Sequence, residues 1–250
     1  MLDAVILSDL HLGSENCQAK KVVQFLELIA DGDLKTSRVI LNGDVFNSFD
    51  FRRLKKQHWK VLTLIRELSK EKEIIWLCGN HDGSTDIISQ LLGVTFMDEF
   101  ILESGSERIM VLHGHIFDNF ITDHPFLTWV GDCIYGFLQW IDSSHSIARM
   151  AKRRSKTFMR CARKVEEDSA AYARRQGCSA VCCGHTHAAT TQQIGEVAYY
   201  NSGCWTELPC HYLTVHKGVI SVESFAPQEV AVEVTEPEFV ETSAIAEPVA

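Results

Sequence analysis

Short apolar runs rich in β-branched residues recur along this chain, and each breaks off into a loop bearing His, Asp or Asn. That pattern constrains the fold more than any other feature. The first run is Ala4-Val5-Ile6-Leu7, which gives way to Ser8-Asp9-Leu10-His11-Leu12-Gly13. The second, Arg38-Val39-Ile40-Leu41, ends in Asn42-Gly43-Asp44, and the third, Ile74-Ile75-Trp76-Leu77-Cys78, ends in Gly79-Asn80-His81-Asp82. Continuous apolar runs of this length read as strands buried on both faces. Between them, Val22, Phe25, Leu26 and Ile29 recur at helical spacing, as do Leu54, His58, Val61, Leu62, Ile65 and Leu68. Alternating strands and helices predict an α/β layered domain, in which ligands bind at the C-terminal ends of strands.

The pattern continues beyond a break. Val94 to Leu102 and Arg108 to Leu112 read as two strands turning through Ser104-Gly105-Ser106, the second ending in His113-Gly114-His115. From there to Gly177 the strand signals vanish. Phe126, Leu127, Trp129, Val130, Ile134, Phe137, Leu138 and Ile141 cover more than one helix face, and Arg149, Arg153, Lys156 and Arg160 then fall on a single face of the next helix. A charge run of this kind is ordinarily a solvated face; beside a metal site it would also suit a phosphate-bearing substrate or an anionic membrane surface. Strands resume at Ala180-Val181-Cys182-Cys183, which ends in Gly184-His185-Thr186-His187. They continue through Val197 to Tyr200 and close with a hairpin of His211–Val215 and Gly218–Val222. The expected organisation is one domain over 1–225 with a helical lid insertion at 119–177. Residues 226–250, which contain no Lys or Arg, read as an acidic, disordered tail.

Composition removes several classes. The formal charge of −9 argues against a general nucleic-acid binder. No uninterrupted apolar run reaches the roughly 18 residues of a spanning helix, and no basic region precedes the first apolar stretch to mark a secretory signal. Nine irregularly spaced cysteines fit a reduced cytoplasmic setting, with most thiols packed as small hydrophobes. A peripheral contact with the inner face of the cytoplasmic membrane is compatible with this reading. Oligomeric state is not legible.

A lone Asp-x-His pair is a weak signal, since a strand-end Asp is more often a turn former than a ligand. Five such loops in one order are a different matter. Asp9-Leu-His11, Gly43-Asp44, Gly79-Asn80-His81-Asp82, His113 and Gly184-His185-Thr-His187 together resemble the calcineurin-like metallophosphoesterase superfamily, over roughly residues 3 to 216. The resemblance implies a β-sandwich flanked by helices and a site for two divalent ions. Asp9, His11 and His187 would hold one, Asn80, His113 and His185 the other, and Asp44 would bridge them. Mixed oxygen and nitrogen donors suit manganese, iron or zinc better than calcium, and manganese is the first expectation. Gly43, Gly79 and Gly184 would let the backbone bend so that the next side chain enters the site. His81 is expected to protonate or stabilise the leaving oxygen, with Asp82 orienting its ring.

Within the superfamily, the helical insertion after His113-Gly114 and the short chain resemble the UDP-2,3-diacylglucosamine diphosphatase group. That group cleaves a pyrophosphate bond in lipid A biosynthesis and releases UMP. The resemblance implies a lipid-linked nucleotide substrate, with the apolar insertion holding acyl chains and the stripe from Arg149 to Arg160 contacting phosphate. The chain differs from strict members in carrying His81 after Asn80 and His115-Ile116-Phe117-Asp118-Asn119-Phe120 after Gly114. The alternatives are a phosphoesterase acting on a soluble nucleotide, phosphodiester or phosphoprotein, and, more remotely, a non-catalytic scaffold of the same fold.

Overall fold

The computed structural model describes residues 1–83, 86–118 and 156–226. Among the described residues, eleven strands form two sheets. The first sheet contains β1 (Ala4–Leu7), β2 (Arg38–Asn42), β3 (Glu73–Leu77), β4 (Thr95–Met97), β10 (Cys210–His216) and β11 (Val219–Phe225), in the order β11-β10-β1-β2-β3-β4. The second contains β5 (Glu99–Ser104), β6 (Glu107–Leu112), β7 (Ala180–Cys183), β8 (Thr190–Ile194) and β9 (Val197–Asn201), in the order β5-β6-β7-β9-β8. Strands β1 through β4 run parallel, as do β6, β7 and β9. Their C-terminal ends therefore carry the metal-type loops on one rim.

Side-chain alternation makes each strand serve two cores. In β1, Val5 and Leu7 face one apolar cluster while Ala4 and Ile6 face another. The first cluster packs helix α1 (Ala19–Ala30), through Val22, Phe25, Leu26 and Ile29, and helix α2 (Lys56–Leu68), through Val61, Leu62 and Ile65, on the outside of the first sheet. Ile88 and Leu92 of the short helix α3 (Asp86–Leu92) pack at its edge. The second cluster lies between the sheets, with Ile6, Ile40 and Ile75 meeting Ile109, Val111 and Cys182. On the outer face of the second sheet, Val181, Cys183 and Tyr199 meet Ala170 and Ala173 of helix α4 (Lys156–Arg175). The result is the layered β-sandwich between helices that the resemblance implied. The described cysteines are free thiols, and Cys182 and Cys183 are packed on opposite faces of β7, as small hydrophobes rather than metal ligands.

Some expectations shift. Val94 to Leu102 is not one strand: β4 pairs with β3 in the first sheet and β5 with β6 in the second, the chain crossing between sheets at Asp98. Strand β8, Thr190–Ile194, carries no apolar alternation because it is an exposed sheet edge paired only to β9. The latter part of the expected lid, α4, is built into the wall of the second sheet. Residues 119–155 and the tail beyond 226, with Arg149 and Arg153, lie outside the described residues. Arg160 is exposed on α4, as a solvated charge would be. Among the described residues no helix is long and apolar enough to cross a membrane.

Candidate metal centre

The loops after β1 and β2 continue the pairing of their strands: Asp9 N–H donates to the Gly43 carbonyl at 3.0 Å and His11 N–H to the Asp44 carbonyl at 2.9 Å. This zipper holds Asp9, His11 and Asp44 side by side. It also holds them in an unusual backbone conformation. Among the described residues, the non-glycine residues with positive φ are Asp9, His11, Asp44, His185, His187 and Lys217. All but Lys217 are candidate metal ligands, and each left-handed non-glycine residue costs on the order of 1–3 kcal/mol. Strain gathered this tightly on one rim marks a site held in place by the surrounding fold.

The two central carboxylates are clamped in the same way. His185 N–H donates to Asp9 Oδ2 at 3.1 Å, and His81 N–H donates to Asp44 Oδ1 at 2.9 Å. In each case one oxygen is fixed by backbone and the other is turned to histidine nitrogens. Asp9 Oδ1 lies 3.1 Å from His187 Nε2 and 3.8 Å from His11 Nε2. Asp44 Oδ2 lies 3.3 Å from His113 Nε2 and 3.7 Å from His11 Nε2, so it stands between two groups of donors. His113 Nδ1–H donates to the Asn42 carbonyl at 2.8 Å, which leaves Nε2 as the inward nitrogen, the one that would offer its lone pair to a metal on losing its proton. Asn80 Oδ1 sits 3.2 Å from His185 Nδ1.

These spacings bring three overlapping sets of donor atoms together: Asp9, His11 and His187; His11, Asp44 and His81; and Asp44, His113 and His185. Glycine provides the room. A Cβ on Gly43, which has φ +82°, would overlap the His113 ring. Gly79 and Gly184 differ from expectation in that neither has positive φ; a side chain is excluded because Asp44 packs against Gly79 and Asp9 against Gly184.

The family model for the calcineurin-like phosphoesterase superfamily domain matches residues 2–217. The chain belongs to that superfamily. No curated protein sequence matches the chain significantly. Among solved structures, it is similar to YfcE, a phosphoesterase from E. coli, at 17% identity over 89% of this chain and 96% of that one, with a TM-score of 0.48. It is also similar to an archaeal phosphodiesterase at 16% identity over 89% and 99% of the two chains, with a TM-score of 0.47. Vacuolar Protein Sorting 29 from Cryptosporidium parvum shows 13% identity over 90% and 97%, with a TM-score of 0.43.

Superfamily members ordinarily bind divalent metals, and the residues here fit such ions. Asp9 Oδ1 and His113 Nε2 are buried without an aligned hydrogen bond, although each has a potential ligand near 3 Å. Neighbouring ligands on an ion with bonds of about 2.1 Å sit roughly 3 Å apart, and the pairs Asp9–His187 at 3.1 Å, His11–His187 at 3.2 Å and Asp44–His113 at 3.3 Å have this spacing. The electrostatics suit cations as well. Burial alone would raise Asp9 and Asp44, yet the surrounding histidines, His187 first for Asp9 and His113 first for Asp44, hold both carboxyls below the usual range. His11 falls to about 3, through burial and then His187, and so offers a neutral imidazole.

The ring of His81 is exposed and meets His11 edge-on at 5.0 Å. Its Nδ1 faces the Asn47 carbonyl at 3.0 Å, so Nδ1–H donates there and Nε2 is left for chemistry. This corrects the role expected of Asp82. Its carboxylate points inward and accepts from Phe46 N–H at 3.1 Å, Trp76 Nε1–H at 3.2 Å and Gly79 N–H at 3.1 Å. Asp82 therefore ties together the loops that carry Asp44 and Asn80, and the Asn47 carbonyl orients His81. His58, outside the site, caps α2 by accepting from Lys55 N–H.

Two contributors went unnoticed in the sequence. Asn201 is fully buried; its Nδ2 donates to the Gly184 carbonyl at 2.6 Å and to Thr186 Oγ1 at 3.1 Å, and its Oδ1 accepts from Gly203 N–H at 2.9 Å. It anchors the turn that presents His185 and His187. The other is Asp118, which lies 3.0 Å from His185 Nε2.

Proposed function

We propose that this superfamily member is a two-metal hydrolase of phosphoanhydride or phosphodiester bonds. The position of Asp44 Oδ2 between His11 and His113 carries the reading, because it makes one carboxylate oxygen available to both donor sets. Asp9, His11 and His187 would hold one cation and Asn80, His113 and His185 the other, with Asp44 between them. When bound, a cation pair acidifies water and neutralises phosphate oxygens in an in-line displacement. The protein does the rest. Backbone amides of His81 and His185 fix the outer carboxylate oxygens, and the buried Asn42 carbonyl sets the His113 tautomer. His81, with Nδ1–H given to Asn47, has Nε2 left toward the leaving oxygen; with the ring protonated on both nitrogens, Nε2–H would supply the proton that the leaving oxygen takes up.

The substrate proposed is a nucleotide diphosphate linked to a lipid, of the UDP-2,3-diacylglucosamine type, with manganese as the metal. Support comes from the sequence: the apolar stretch from Phe126 to Ile141 and the basic stripe from Arg149 to Arg160 follow directly on the loop of His113. The proposal places the protein in the cytoplasm, peripheral to the membrane that carries such a substrate. The test is UMP release by manganese-loaded protein from UDP-2,3-diacylglucosamine, an unacylated UDP-sugar and an aryl phosphodiester, with His113→Ala as control. Turnover confined to the acylated substrate is the expected result. Cleavage of the diester alone would overturn the lipid assignment while keeping the two-metal chemistry, and His113→Ala activity equal to wild type would overturn both.

A further inference from the structure

His185 is held on both ring nitrogens. Nδ1 faces Asn80 Oδ1 at 3.2 Å, and Nε2 faces Asp118 Oδ2 at 3.0 Å. The two sides are not equivalent. Asn80 belongs to the group of residues that converge on Asp44 and His113, whereas Asp118 belongs to none of the donor sets among the described residues. Asp118 comes from the far end of a short 3-10 turn, His115–Phe117, that begins two residues after His113. The side chains of His185 and Asp118 are only 8% and 12% exposed, so their contact is largely shielded from water.

We propose that Asp118 is a positioning residue for the metal centre: by accepting the Nε2–H of His185 it fixes the tautomer that turns the Nδ1 lone pair inward, beside Asn80 Oδ1. The inference rests on the dinuclear reading above. With the proton on Nε2, two acceptors, His185 Nδ1 and Asn80 Oδ1, face one another 3.2 Å apart. Two lone pairs at that distance repel unless a cation lies between them, and the spacing is that of neighbouring ligands on one ion of bond length about 2.1 Å. A carboxylate on the outer nitrogen of a ligating histidine both orients the ring and strengthens its donor atom. One loop thereby supplies a candidate ligand, His113, and the support for a second one, His185, which the sequence places 72 positions later.

The effect should be confined to one cation. Asn80, His113 and His185 lie on the side of Asp44 that Asp118 supports, while Asp9, His11 and His187 form the other donor set. Manganese binding to metal-free protein, followed by isothermal titration calorimetry and by metal analysis after dialysis, provides the test. Wild type should take up two ions. Asp118→Ala should bind one of them about 10- to 100-fold more weakly, so that one ion per chain survives dialysis. Asp118→Asn, of the same shape and still able to accept from Nε2–H, should recover part of the loss, which a merely structural disruption would not show. Circular dichroism spectra matching wild type establish that both variants are folded. Two ions bound by Asp118→Ala with wild-type affinities would overturn the inference and leave the dinuclear reading intact. Uptake of fewer than two ions by wild type would overturn the dinuclear reading, and this inference with it.

Discussion

Asn201 offers a test of how the fold holds the histidine turn. Asn201→Ala removes the donor to the Gly184 carbonyl at 2.6 Å and the acceptor of Gly203 N–H at 2.9 Å, at a side chain with no solvent exposure. A buried polar group left without a partner costs about 1–3 kcal/mol, so the two backbone groups together should lower the unfolding free energy by roughly 2–6 kcal/mol. With a urea slope of about 2–3 kcal/mol per M, the midpoint falls by about 1–3 M. The measurement is a urea titration of metal-free protein followed by tryptophan fluorescence, so that lost metal binding does not enter the result. Asn201→Asp separates shape from chemistry. It is nearly isosteric and can still accept from Gly203, but it cannot donate to Gly184 and it buries a charge; it should be at least as unstable as the alanine variant. A midpoint within about 0.3 M of wild type for both variants, against the slope used above, would refute the reasoning.

Other predictions follow from the same geometry. Gly79→Ala places a Cβ against Asp44 and should abolish metal-dependent hydrolysis with a smaller effect on folding; a variant as active as wild type would contradict the tight approach of these loops. In the metal-free chain, burial works against the charge on His113, but Asp44 and then Asp9 prevail and hold it at about 9. Metal uptake at neutral pH must expel that proton, so affinity should rise as pH rises toward 9; calorimetric heats independent of the buffer's ionisation enthalpy would rule this out. Asp82 is pushed up to about 6 from 3.8, by burial and then by Asp44. Its folded value lies above its unfolded one, so its contribution to stability is complete below 3.8 and is lost as pH rises through about 6. Asp82→Asn should remove that decline: the difference in unfolding free energy between variant and wild type should change between about pH 3.5 and 6.5, which brackets 3.8 and about 6. Parallel stability curves would contradict the assignment.

Much of this architecture was legible because it is local. An apolar run ending in Asp-x-His, Gly-Asp, Gly-Asn-His, His-Gly-His or Gly-His-x-His states both the strand and the side chains at its end, as β1, β2, β3, β6 and β7 do in turn. Strand β8 was invisible because an exposed edge strand of Thr, Thr, Gln, Gln and Ile needs no apolar alternation. The split between β4 and β5 was hidden for a related reason: one apolar stretch serves two sheets, and the switch at Asp98 is decided by partners far away in sequence. Residues that act through others were hardest to see. Asp82 stands beside His81 in sequence, yet its carboxylate turns to Phe46, Trp76 and Gly79. Asp118 and Asn201 carry no motif that the sequence would reveal, because His185, Gly184 and Thr186, which they hold, lie in the loop after β7. The strained φ values are also silent in sequence, since Asp and His at those positions look like ordinary turn residues.

The central claim is that Asp44 stands between two cations. Anomalous diffraction at the manganese edge from metal-loaded crystals tests it directly. The account predicts two peaks roughly 3.5–4 Å apart, one beside Asp9, His11 and His187 and the other beside Asn80, His113 and His185, with Asp44 reaching both. A single peak, or a pair that Asp44 does not join, would contradict it.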